Sequence, residues 1–161
     1  MSLRFGILTV SDAGSRGERT DTSGPALAEL VVGDGGEVAR QGIVPDDRQL
    51  IAQTLCAWCD GGDLDVILTT GGTGLAPRDV TPEATLDVAD RVVPGIAEAM
   101  RAEGTRATPM AMLGRGVAVT RGRTLIVNVP GSEKAARESY ATIAPVLTHA
   151  AQLLHGDTEH R

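Results

Sequence analysis

Leu64-Asp65-Val66-Ile67-Leu68-Thr69-Thr70-Gly71-Gly72-Thr73-Gly74 is the stretch that decides the fold. The run Leu64–Thr70 predicts a strand buried on both faces, the pattern of a parallel sheet covered by helices. It ends on a glycine-rich turn, so polar backbone is delivered at a strand's carboxyl end. Upstream, Arg4–Val10 predicts another buried strand, followed by the Ser/Asp/Gly-rich loop Ser11–Ser23. Ser23-Gly24-Pro25 opens a helix whose Leu27, Leu30 and Val31 share one face, and Gly33–Gly36 closes it. Glu37–Val44 reads as a weaker strand. Pro45-Asp46-Asp47 then starts a helix, with Asp46 the expected N-cap and Ile51, Leu55 and Cys59 on its apolar face.

Downstream, Thr81-Pro82-Glu83 predicts a helix start with Thr81 as cap and Pro82 at the first helical position. Ala84–Val93 and Ile96–Glu103 read as two helices separated by Pro94-Gly95. Val117–Thr120 and Thr124–Val129 predict a hairpin around Arg121-Gly122-Arg123. Ser132 should cap a last helix that Pro145 kinks or divides near Ala144. The succession implies a three-layer α/β/α sandwich on a mostly parallel sheet, the hairpin adding one antiparallel strand. We expect one domain over residues 1–155 and a frayed tail over 156–161.

Composition narrows the function classes. The 161 residues carry 21 acids against 15 bases, a net charge of −6, which argues against nucleic acid as a partner. Only Phe5, Trp58 and Tyr140 are aromatic, too few for a base-stacking platform. No apolar run is long enough to span a membrane. With no export signal and two cysteines, the expected location is the cytoplasm. Cys56-Ala57-Trp58-Cys59 has redox spacing but falls in the last turns of a helix, so core packing is expected. His149, His155 and His160 fit no zinc spacing and are expected in solvent, while Met100, Met110 and Met112 are expected as core or pocket filler.

In open α/β sheets, ligands bind outside the carboxyl ends of the strands. That rule selects the loops Ser11–Ser23, Pro45–Asp47, Gly71–Thr81 and Pro130–Ser132. The third is the richest. Glycines let backbone N–H groups approach a phosphate closely, Arg78 offers a planar cation, and Asp79 suits a divalent ion. The string lacks the Gly-Lys-Ser/Thr of a P-loop and the GxGxxG of a dinucleotide fold. Asp46 and Asp79, on neighbouring loops, could hold one Mg²⁺ between them, Asp46 as a plain N-cap being the alternative.

These blocks, in this order, resemble the molybdopterin adenylyltransferases of the MogA/MoaB group, to which the gephyrin and plant molybdenum-cofactor G domains belong. The resemblance rests on Thr9-Val10-Ser11-Asp12, Ser15, Gly17, Asp21–Pro25, Val44-Pro45-Asp46, Thr70–Gly74, Pro77–Thr85, Pro94-Gly95, Glu98–Arg101 and Asn128–Ser132. It spans about Arg4 to Leu154 and implies the molybdenum-cofactor-biosynthesis fold. It further implies transfer of AMP from ATP to the molybdopterin phosphate, with Mg²⁺ as cofactor. By the same resemblance Asp46 and Asp79 are the catalytic, metal-holding pair. The substrate-binding set is Ser11, Asp12, Ser15, Gly71, Gly72, Thr73, Gly74, Arg78, Asn128, Pro130, Gly131 and Ser132. A homotrimer and a downstream metal-insertion protein are the implied partners. One departure is Leu113-Gly114-Arg115, where the family often has serine before the arginine. A pterin-binding paralogue without transferase activity is the alternative reading.

Overall fold

The computed structural model describes residues 1–157. In chain order the strands are β1 (Arg4–Val10), β2 (Glu37–Val44), β3 (Val66–Thr70), β4 (Arg91–Val92), β5 (Ala118–Arg121) and β6 (Thr124–Val129). The helices are α1 (Asp12–Ser15), α2 (Ser23–Gly33), α3 (Arg48–Asp60), α4 (Thr81–Asp87), α5 (Pro94–Ala107) and α6 (Glu133–Leu154), with a 3₁₀ turn at Pro109–Leu113. They form one sheet in the order β2-β1-β3-β6-β5-β4. β2, β1, β3 and β6 run parallel, and β5 alone runs against them.

Strand alternation sends side chains to two helix layers. Phe5, Ile7, Val66, Leu68, Leu125 and Val127 face Leu27 and Val31 of α2, Met100 of α5 and Tyr140, Ile143 and Leu147 of α6. Leu8, Val10, Ile67 and Ile126 face Ile51 and Leu55 of α3 and Ala84 of α4. Each such aliphatic side chain removed from water is worth about 1.5–3 kcal/mol, so the two half-cores hold the layers to the central strands. The expected three-layer sandwich with one antiparallel strand is the observed fold.

Several local expectations are corrected. Asp47, not Asp46, caps α3, its carboxylate accepting from Leu50 N–H at 2.9 Å. Thr81 is the first residue of α4 rather than its cap, because its hydroxyl donates to the Gly71 carbonyl. α4 stops at Asp87, and Arg91–Val92 pairs with β5 instead of extending the helix. Pro94-Gly95 opens α5, where a proline in the first turn loses no helical hydrogen bond. Pro145 does not divide α6, which is helical throughout Glu133–Leu154. The buried stripe Tyr140, Ile143, Leu147 and Ala151 straddles the proline and outweighs its lost N–H. Ser132 caps α6 as expected, accepting from Ala135 N–H.

Candidate active site

Because β1, β2, β3 and β6 are parallel, the four loops singled out by sequence leave the sheet at one end. Thr9 pairs with Thr70 and Thr70 with Val129, so the first, third and fourth loops depart side by side. They are packed too tightly for side chains. Gly71 has φ +101°, and a Cβ there would run into the Val10 carbonyl, while a Cβ on Gly131 would lie 3.1 Å from Gly71 Cα. Gly72 (φ +70°) is closed in by the Thr81 hydroxyl and by Asp46, whose Oδ1 is 3.1 Å from its Cβ position. The Cβ position of Gly74 lies 2.9 Å from Asp79 Oδ2. Two hydroxyls lock this arrangement: Thr70 donates to the Pro130 carbonyl at 2.8 Å and Thr81 to that of Gly71 at 2.9 Å. The N–H groups of Gly72, Thr73 and Gly74 make no hydrogen bond among the described residues, leaving donors for an anionic group.

Asp46 and Asp79 thus flank one glycine loop. Asp46 and Asp12 clasp each other: Asp12 N–H donates to Asp46 Oδ2 and Asp46 N–H to Asp12 Oδ1, both at 2.9 Å. Arg78 forks onto both oxygens of Asp12 at 2.9 Å. That hydrogen-bonded guanidinium, with the Asp46 N–H, holds the Asp12 carboxyl below its ordinary value. Asp46 goes the other way. Burial raises its pKa, and the charges of Asp12 and Asp79 raise it further against the bond from Asp12. Asp79 Oδ2 accepts from Ala76 N–H at 3.0 Å, which orients its carboxylate within its own turn.

The remaining sequence-selected residues divide by exposure. Ser11 caps α1 by accepting from Gly14 N–H, and Ser15 donates to the Asp12 carbonyl. A cavity of about 330 Å³ opens beside them, lined by Ser11, Arg19, Asp21, Thr70, Gly71 and Ser132. A second, also about 330 Å³, lies on the other side of Thr73 and Gly74, against Met100, Met110, Leu113 and Gly114. Asn128 is 1 % exposed. Its amide donates to the Thr69 and Thr85 hydroxyls and accepts from Val117 N–H, so it ties β6 to β3, α4 and the start of β5 rather than offering its side chain outward. Gly114 has φ −69° and ψ +132°, so its backbone does not demand glycine. Arg78, expected to hold phosphate, is engaged by Asp12.

Sequence reasoning missed Arg115, Glu83 and the Thr81 hydroxyl as parts of the site. Arg115 lies 36 residues from Asp79, to whose carbonyl it donates; the Leu113-Gly114-Arg115 segment was noted only for its glycine. Of the other candidates, Cys59 is core as expected, and burial pushes its thiol up to about 11, away from redox chemistry. Met100 is core and Met110, though exposed, lines the second cavity as expected, whereas Met112 is exposed outside it on the 3₁₀ turn. His155 is exposed as expected, and it also meets Asp65 through Nε2 at 2.8 Å and Arg123 through Nδ1. His160 and most of the expected tail lie outside the described residues.

The fold is an α/β sandwich with two carboxylates and a glycine loop gathered at one sheet end. Residues 6–149 match the family model described as a probable molybdopterin binding domain, and the chain belongs to that family. It is 37% identical to a molybdopterin adenylyltransferase of Helicobacter pylori (strain J99), over 97% of this chain and 90% of that one. It is 43% identical to the molybdopterin adenylyltransferase of Escherichia coli K12, over 86% and 72% of the two chains. It is also 45% identical to the molybdenum cofactor synthesis protein cinnamon of Drosophila melanogaster, but spans only 26% of that protein. Among solved structures, the molybdopterin biosynthesis enzyme MoaB of Thermus thermophilus matches with a TM-score of 0.90 and 58% identity, over 96% of this chain and 97% of that one. Among the described residues, no helix is long and apolar enough to cross a membrane.

Proposed function

We propose that this protein transfers AMP from ATP to the terminal phosphate of molybdopterin, releasing pyrophosphate, as a step of molybdenum-cofactor biosynthesis. The observation that carries the reading is that Asp46 and Asp79 both lie against one glycine loop, at Gly72 and Gly74. The full-length relatives named molybdopterin adenylyltransferase support it.

The donor set fits Mg²⁺. No group of three or more His, Cys, Asp or Glu side chains is placed to hold a metal among the described residues. Mg²⁺ needs only one or two carboxylates, keeping water and phosphate oxygens as its other ligands. Asp12 is already paired with Arg78, whereas Asp46 has no ion pair among the described residues, and its pKa is raised chiefly by burial. Asp46 and Asp79 would hold the ion, which when bound neutralises charge on the phosphates and the departing pyrophosphate.

The chain's own groups do the positioning. The free N–H groups of Gly72–Gly74 bind phosphate oxygens, and the positive end of α6 behind Ser132 faces the same loops. Arg78, exposed and bidentate on Asp12, can exchange that carboxylate for a phosphate. A molybdopterin phosphate oxygen attacks the α-phosphorus, the bond to the bridging oxygen breaks, and pyrophosphate leaves with the electron pair. No general base is required, because the attacking phosphate monoester is already ionised near neutral pH. That agrees with the absence of histidine from the four loops. The subunits assemble as a homotrimer and pass the product to a metal-insertion protein in the cytoplasm. The exposed Met112 and Leu113 support the oligomer by offering apolar surface.

The test is incubation with molybdopterin, ATP and Mg²⁺, scoring adenylyl-molybdopterin and pyrophosphate. Product that requires Mg²⁺, and that falls at least about 10²-fold in Asp79→Asn, is the expected result. Tight pterin binding without product would favour the non-transferring paralogue.

A further inference from the structure

We infer that Arg115 is a positioning residue for the transfer reaction: it clamps the Asp79 turn to the glycine loop and to α4, and so sets where the Asp79 carboxylate stands. The inference rests on the function proposed above.

Four contacts converge from this one residue. Its backbone N–H donates to the Thr73 carbonyl at 2.8 Å. In its side chain, Nε donates to the Gly74 carbonyl at 2.8 Å and one terminal nitrogen to the Asp79 carbonyl at 2.8 Å. The other terminal nitrogen reaches both oxygens of Glu83, in the first turn of α4, at 2.9 Å. The turn between Gly74 and Asp79 is thereby closed by a single rigid plane. Inside it Asp79 N–H donates to the Ala76 carbonyl, and Asp79 Oδ2 accepts from Ala76 N–H while resting on Gly74. Arg115 is itself placed by Arg101, which donates to the carbonyls of Gly114 and Gly116 on either side of it. Glu83, held below its ordinary value chiefly by this hydrogen bond, stays ionised to anchor the fork.

A lysine keeps the charge but has no fork. It can reach Glu83 or a carbonyl, and cannot bridge Gly74, Asp79 and Glu83 together. The clamp touches backbone carbonyls and the Glu83 carboxylate, not Asp79 Oδ2, so Arg115 acts through Asp79 and not on substrate.

The test compares wild type, Arg115→Gln, Arg115→Lys and Glu83→Gln in two assays. The first needs no ligand: hydrogen exchange at the Ala76, Asp79 and Thr81 amides, with thermal melting to confirm an intact fold. The second measures AMP transfer against Mg²⁺ concentration, with pterin binding followed separately by fluorescence. In Arg115→Gln we expect exchange in the 76–81 segment to rise at least about 10-fold. We expect kcat to fall at least about 10-fold and half-maximal Mg²⁺ to rise about 5-fold, with pterin binding within about twofold. Arg115→Lys should recover part of each change, and Glu83→Gln should show a weaker version. Normal exchange in Arg115→Gln overturns the clamp, and so does faster exchange with normal kcat and Mg²⁺ dependence. If wild type itself makes no product, the functional reading fails, and the clamp as a device for that reaction falls with it. The exchange assay then separately reports whether the turn is held by Arg115.

Discussion

Asp46 shows how a single buried carboxylate can oppose stability. Its pKa is raised in the folded protein, first by burial and then by Asp12 and Asp79. The folded state therefore binds its proton up to a higher pH than the unfolded chain does. Stability falls as pH climbs from the ordinary value of 3.8 through the raised one, and the penalty is fully present above the raised one. Asp46→Asn should accordingly melt at the same temperature as wild type, or higher, at pH 7. The advantage should shrink as pH drops from the raised value and vanish below the ordinary one, and AMP transfer should fall at least about 10²-fold. A clear loss of thermal stability at pH 7 would show that the clasp with Asp12 outweighs the burial of charge. Gly72 makes a second prediction at this scale. Gly72→Ala sets a methyl group against Thr81 and Asp46 at a positive φ, and should cost about 2 kcal/mol or more in urea unfolding together with most of the activity. Gly122→Ala is the control: its φ is +58° but the space around it is open, so about 1 kcal/mol and no loss of transfer are expected.

Among the elements, α6 carries the plainest conflict between local and tertiary preference. Pro145 sits exposed in its interior and removes one helical hydrogen bond. The helix persists because its buried stripe crosses the proline on both sides. Pro145→Ala should raise unfolding free energy by about 1–3 kcal/mol in urea titration, since an interior proline costs about 3 kcal/mol relative to alanine. Unchanged or lower stability would mean that the packing of Ile143 and Leu147 depends on a bend at the proline. The α3 cap teaches the converse. Asp46 was the cap expected from the sequence, and its neighbour Asp47 takes that role. Asp46 instead pairs with Asp12 on another loop.

For the molecule as a whole, core and site are separable. Ile126 is fully buried between β6 and the α3/α4 layer, far along its strand from Pro130. Ile126→Ala should cost about 2–5 kcal/mol by urea unfolding, as a large-to-small change with a residual cavity, while the folded fraction keeps its kcat. A matching loss of kcat at low temperature would show that the strand ends shift with the core. The opposite end of the sheet is fastened independently: Asp65 accepts from Arg4 N–H and meets His155, which draws the end of α6 against β1 and β3.

The succession of the main strands, the layer pattern and the gathering of four loops at one sheet end were legible in the sequence, because buried strands, caps and glycine turns are local, periodic signals. Thr70–Gly74 and Pro77–Glu83 carried the family as well. The short β4, the exposure of Met112, the inward amide of Asn128, and the Arg115–Glu83 clamp were decided only by tertiary structure. Each depends on which distant segment lies alongside: Thr120 beside Arg91, Thr69 and Thr85 beside Asn128, Gly74 and Asp79 beside Arg115. A side chain's type states what it can bond to. Its partner is chosen when the strands align, and at this sheet end that alignment turns scattered aspartates and glycines into one site.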